Sequence, residues 1–125
     1  MTEIATLGEF GLIDRLTAGL KAQNPSTCYG VGDDCAVLRY SSDADDPRRV
    51  LVTSDMLMEG IHFDLTYTPL KHLGYKAAVV NFSDVYAMNG TPRQLVVSIA
   101  VGRRFKIEHL DELYAGIRLA CERYH

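Results

Sequence analysis

The chain has 125 residues, 47% of them hydrophobic and 23% charged, with a formal net charge of −3. That is the length of one ordinary domain, able to bury roughly two-thirds of its unfolded surface without disulfides or a structural metal. The mildly acidic balance argues against a nucleic-acid surface, which needs a basic patch, and no apolar run is long enough to span a membrane.

The N-terminus, "MTEIATLGEF", has no signal-peptide pattern. Cys28, Cys35 and Cys121 are an odd number without CxxC spacing, and they read as reduced thiols of a cytoplasmic protein. His62, His72, His109 and His125 are scattered, which argues against zinc. There is no internal repeat.

"GEFGLIDRLTAGLKAQN" places apolar residues at 10, 12, 13, 16 and 20 and predicts an amphipathic helix ended by Asn24-Pro25-Ser26. "CYGVG" predicts a short strand and "CAVLRY" a second. "SSDADDPRR" reads as a solvated loop, and "VLVTSD" as the third strand. Pro69 opens a long helical region through "LGYKAAVVNFSDVYAMNG", with Asn89-Gly90 as its C-cap. "RQLVVSIAVG" predicts a fourth strand. "KIEHLDELYAGIRLACERY" predicts a last helix, apolar at 107, 110, 113, 114, 117 and 120. The order predicts an α+β fold: a mixed, mainly antiparallel sheet of about four strands covered by helices. The chain stops in or just after a helix, as a piece of something longer would.

Acids fall where elements change. Asp33 and Asp34 separate two strands, Asp55 ends the third, and Asp84 lies in an otherwise apolar helix three residues from Asn81, on the same face. An unpaired carboxylate on a buried face is costly unless it is neutralised or meets a cation. Carboxylate and hydroxyl donors without Cys or His partners favour Mg²⁺. Each residue alone also has an ordinary reading. Asp33-Asp34 can serve a turn, Asp55 can cap one, Thr53 and Ser54 can be strand-edge residues, and Asp84 can pair with Lys76 or Arg93. His62 can be a packed or surface histidine, and Glu59 a solvated one. "GVGDDC" fails as a dinucleotide fingerprint, because Cys35 stands where the third glycine belongs and a strand follows instead of a helix. There is no P-loop and no nucleophile elbow.

Four stretches in order, "GEFGLID" (8–14), "GDDCAV" (32–37), "TSDMLMEGIHF" (53–63) and "NFSDVYAMNGTP" (81–92), resemble the thiamine-monophosphate kinase family. That family lies within the aminoimidazole ribonucleotide synthetase-like superfamily. The resemblance implies the N-terminal domain of that fold and ATP-dependent phosphorylation of thiamine monophosphate to thiamine diphosphate, with several Mg²⁺ ions. By motif, it implies Asp34, Thr53, Ser54, Asp55 and Asp84 as metal ligands, His62 at the substrate and Tyr114 near the nucleotide. Asp33 and Asn81 would support the site, and no residue is assigned as catalytic in the strict sense. It also implies a cytoplasmic homodimer joined through the N-terminal sheet, with no nucleic acid or membrane partner. Members of the family continue into a Gly-Asp segment and a second domain. Residues 1–125 are therefore expected to form the N-terminal ATP/Mg²⁺-binding and dimerisation domain, the C-terminal domain being absent from this chain and the chain alone inactive. The alternatives are a non-catalytic dimerisation or metal-binding fragment, and another ATP-dependent synthetase of the superfamily.

Overall fold

The computed structural model describes residues 1–124; His125 lies outside the described residues. A 3-10 turn, Ile4–Thr6, leads into α1, Gly8–Thr17. Three strands follow: β1 Thr27–Tyr29, β2 Ala36–Arg39 and β3 Arg49–Val52. Two long helices complete the chain, α2 Leu70–Ala87 and α3 Ile107–Tyr124.

The strands form an antiparallel meander in the order β1-β2-β3. Ala36 faces Val52, Val37 faces Leu51 and Arg39 faces Arg49, while the β1–β2 register shifts between Thr27 and Tyr29. The loop from β2 to β3 is held by Asp46, whose carboxylate takes Arg48 at 2.8 Å and the Ser41 hydroxyl at 2.9 Å. Arg48 also stacks over the Tyr40 ring, 4.0 Å from its centroid. These contacts brace the loop locally, while the pairing of β3 with β2 decides which residues reach its far end.

The core lies between α2 and α3, where Ala78, Phe82, Ile117 and Ala120 form one buried cluster. Two glycines bring the backbones together. A Cβ on Gly74 would overlap the Leu113 carbonyl oxygen, and one on Gly116 would overlap that of Lys71. Tyr124 meets Phe82 edge-on, with ring centroids 6.2 Å apart. Because Gly74 meets Leu113 and Phe82 meets Tyr124, the two helices run parallel. The chain must therefore travel back along α2, roughly 27 Å at 1.5 Å per residue, before α3 can begin.

That return explains the main departure from the sequence reading. The predicted fourth strand, residues 93–102, is not part of the sheet. It is the return connection, with Leu95 packed against the helical core. Strand status needs a hydrogen-bonded neighbour, and none is present among the described residues. The predicted first helix also ends early. Thr17 turns its hydroxyl back onto the Ile13 carbonyl at 2.8 Å, which weakens a helix end, and Gly19 follows. No residue of α1 is buried. β3 ends at Val52, so residues 53–55 lie beyond the strand. The cap at Asn89-Gly90 is as predicted. Asn89 takes φ +57°, its N–H donates to the Tyr86 carbonyl, and Gly90 N–H donates to that of Val85, which is a Schellman motif.

Candidate functional site

The β2–β3 register sends two segments to the same end of the sheet. With Ala36 opposite Val52, Asp33-Asp34 enter β2 at the end where Thr53-Ser54-Asp55 leave β3. The C-terminal half of α2 lies against that end, since the space a Gly90 Cβ would need is taken by the Leu51 side chain.

The chain leaving β3 is tied to α2 by paired polar groups. The Thr53 hydroxyl donates to the Asp84 carboxylate at 3.1 Å. The Asp55 N–H donates to the Asn81 side-chain oxygen at 3.0 Å, and the Asn81 amide nitrogen donates to the Ala77 carbonyl at 2.9 Å. Asn81 thus uses its oxygen on Asp55 and its amide nitrogen on its own helix, which fixes the side chain in place. The alternative partners weighed for Asp84 are not used: neither Lys76 nor Arg93 forms an ion pair among the described residues.

Asp55 and Asp84 face one another. Partial loss of water raises the Asp55 carboxyl above its ordinary range, and the neighbouring Asp84 carboxylate raises it further; His62 acts in the opposite direction. Cys35 is buried at the start of β2, with 1% of its surface exposed. Its thiol is pushed up first by that burial, then by Asp84, Asp34 and Asp33 in that order. The thiol therefore senses acids from both sides of the site. Asp33 accepts the N–H of Asp34 at 2.9 Å, an ordinary turn contact.

His62 lies on the exposed loop between β3 and α2, its Nδ1 accepting the Met58 N–H at 2.8 Å. Tyr114 is exposed on α3, one residue beyond the close approach of Leu113 to Gly74. Glu59 pairs with Arg104 at 2.9 Å on the surface. The structure thus brings Thr53, Asp55, Asn81 and Asp84 together, puts Asp33, Asp34 and Ser54 at the same sheet end, and leaves His62 and Tyr114 on flanking surfaces. Sequence reasoning treated Lys76 only as a counter-charge for Asp84. Its Nζ instead donates to the His62 carbonyl at 2.7 Å. Spacing along α2 carries no signal of that contact, because it does not show which backbone the helix meets.

No three His, Cys, Asp or Glu side chains among the described residues stand close enough to grip a metal ion alone. The donors nevertheless fit Mg²⁺. Two facing carboxylates and a hydroxyl are hard oxygen ligands, and Mg²⁺ is commonly held by one or two carboxylates with water and substrate phosphate completing its shell. A cation there also removes the repulsion that raises Asp55.

Such an arrangement defines a domain that offers oxygen donors at the end of a small sheet braced by a helix. The chain belongs to the family described as AIR synthase related protein, N-terminal domain, whose model matches residues 32–125. It is 36% identical over 118 residues to the thiamine-monophosphate kinase of Aquifex aeolicus, covering 94% of this chain and 35% of that one. It is 32% identical over 119 residues to the Bacillus subtilis enzyme of the same name, covering 95% and 35%. A solved structure described as AaThiL complexed with AMPPCP and TMP superposes with a TM-score of 0.82 at 34% identity, covering 99% of this chain and 36% of that chain. The chain therefore spans about a third of the length of these relatives. No helix among the described residues is long and apolar enough to cross a membrane.

Proposed function

We propose that this chain supplies the N-terminal part of the site of an ATP-dependent kinase that converts thiamine monophosphate to thiamine diphosphate in the cytoplasm. The observation that carries this reading is the facing pair Asp55 and Asp84, with Thr53 bonded to Asp84 and Asn81 to Asp55. The relatives' names, and the ATP analogue and TMP in the superposed structure, support it.

In this reading Asp55, Asp84 and Thr53 would hold Mg²⁺, with Asp34 and Ser54 adding donors from the same sheet end and Asp33 supporting them. Bound Mg²⁺ supplies charge neutralisation and alignment for in-line phosphoryl transfer. The acceptor is itself a phosphate, already largely ionised near neutral pH, so the chain needs no strong general base. What its residues must do is position. Asn81 fixes the backbone that carries Asp55, His62 meets the acceptor substrate, and Tyr114 flanks the nucleotide from α3. The homodimer belongs to the same reading. Val50, Val52, Val96, Ile99 and Val101 are all exposed, an apolar set that a second copy would cover.

The test is thermal. Mg²⁺ together with a non-hydrolysable ATP analogue should raise the melting temperature of the chain more than either alone, and Asp55→Asn should abolish the synergy. A rise from Mg²⁺ alone with no nucleotide effect points to the metal-binding fragment instead.

A further inference from the structure

His62 sits on an exposed loop, yet three of its four polar groups are engaged. Its backbone N–H donates to the Met58 carbonyl at 2.9 Å. Its Nδ1 accepts the Met58 N–H at 2.8 Å. Its carbonyl accepts from Lys76 Nζ at 2.7 Å, across 14 residues of chain. Only Nε2 is left. A ring nitrogen that accepts a backbone N–H carries no proton, so the neutral imidazole must carry its proton on Nε2.

The partner of the carbonyl is informative. Lys76 is exposed and forms no ion pair among the described residues. Ordering a long lysine side chain costs rotamer entropy, and here the return is one charge-assisted bond to a backbone position that already forms a turn. That bond completes a pattern. Thr53 is tied to Asp84, Asp55 to Asn81 and His62 to Lys76. The segment 53–62 thus runs antiparallel to α2 and is tied to it at three points, two of them at the acids.

We propose that Lys76 is a positioning residue. It fixes the His62 turn on α2 so that Nε2–H is presented as an aimed donor to a phosphoryl oxygen of the acceptor substrate. This rests on the reading of His62 as a substrate contact, and the two claims separate by experiment.

The first measurement needs no substrate. In the 125-residue chain, amide exchange at Met58 and the imidazole nitrogen spectrum of His62 are recorded for wild type, Lys76→Met and Lys76→Arg. The expected result is a protected Met58 amide and a pure Nε2–H form in wild type. Lys76→Met should exchange at Met58 at least tenfold faster and show a tautomer mixture, with an unchanged melting temperature. Lys76→Arg, which keeps a donor, should restore the wild-type pattern. An unchanged Met58 amide in Lys76→Met overturns the proposal.

The second measurement titrates thiamine monophosphate with Mg²⁺ present. Lys76→Met and His62→Ala should each weaken binding by about fivefold to tenfold, and the double variant should be no weaker than His62→Ala, as expected for residues acting through one contact. Weakening by His62→Ala alone, with Lys76→Met like wild type, also overturns it. Full-strength binding by His62→Ala sinks the substrate reading of His62, while the exchange result decides what Lys76 does whether or not the isolated chain binds the substrate.

Discussion

Gly116→Ala is a severe test of the helix pair that braces the site. The added Cβ would overlap the Lys71 carbonyl oxygen and lie 2.8 Å from both the Lys71 carbonyl carbon and the Tyr75 amide nitrogen. Carbon contacts are comfortable at roughly 3.5–4.0 Å. The obstacles are backbone atoms inside a helix, so no side chain can swing aside and the helices must part by on the order of 1 Å. The core they share is small, essentially Ala78, Phe82, Ile117 and Ala120, so a shift of that size loosens all of it. Overpacking typically costs about 1–3 kcal/mol, and a backbone obstacle belongs at the upper end. Replacing glycine by alanine inside a helix returns about 1 kcal/mol. The net expectation is a loss of about 2 kcal/mol, and at roughly 4 °C per kcal/mol for a chain of this size, a fall in Tm of about 8 °C. Thermal melts and urea titrations of Gly116→Ala against Gly19→Ala decide it. Gly19 has no neighbour within 4 Å of an added Cβ, and substitution there should fall within about 0.5 kcal/mol of wild type. If Gly116→Ala melts within about 2 °C of wild type, the close approach of the helices is wrong, and so is the placement of Tyr114.

Three further outcomes are expected. Asp84→Asn keeps an acceptor for the Thr53 hydroxyl but removes one of two facing charges; the metal-free protein should melt no lower than wild type, and the Mg²⁺ needed for nucleotide-dependent stabilisation should rise about tenfold or more. A lower melting point with unchanged Mg²⁺ dependence would show a structural partner instead. Asp46 is held well below the ordinary carboxylate range by the Arg48 side chain, then by the Arg48 N–H. Its contribution is therefore present above its unfolded value, near 4, and lost as pH falls toward the depressed folded value. Asp46→Asn should lower the melting temperature at pH 7, and the gap to wild type should close in acid. Finally, the chain alone should form negligible thiamine diphosphate from thiamine monophosphate and Mg²⁺-ATP, because positioning supplies much of the rate in phosphoryl transfer and this chain spans about a third of its relatives; product analysis settles it.

The elements that were legible in the sequence are those fixed by local chemistry. Pro69 and Asn89-Gly90 bracket α2 because one residue pre-sets the backbone and the others permit a left-handed cap. The acid at 84 stood out because an apolar helix has little use for a carboxylate. What was illegible depended on partners distant in sequence. Residues 93–102 have the composition of a strand, and whether they pair depends on what lies beside them. Lys76 looked like a counter-charge because spacing along a helix shows which residues share a face and not which backbone that face meets. α1 has a clear apolar stripe, yet Phe10 and Leu16 remain 78% and 71% exposed, since a stripe states a need for burial and does not supply the cover.

The three ties between segment 53–62 and α2 make that helix a ruler whose graduations are angular as well as linear. Each residue added to a helix turns everything beyond it by 100° and moves it 1.5 Å. One residue inserted between Lys76 and Asn81 would leave Asn81 and Asp84 in phase with each other but swing them away from Lys76, so the chain at Thr53–Asp55 and the His62 carbonyl could not both keep their moorings. An insertion among residues 41–48, in the loop between β2 and β3, does not disturb that phase. Across related chains, length differences should therefore gather in the β2–β3 loop and avoid the eight-residue interval from 76 to 84, even where the residues within that interval change.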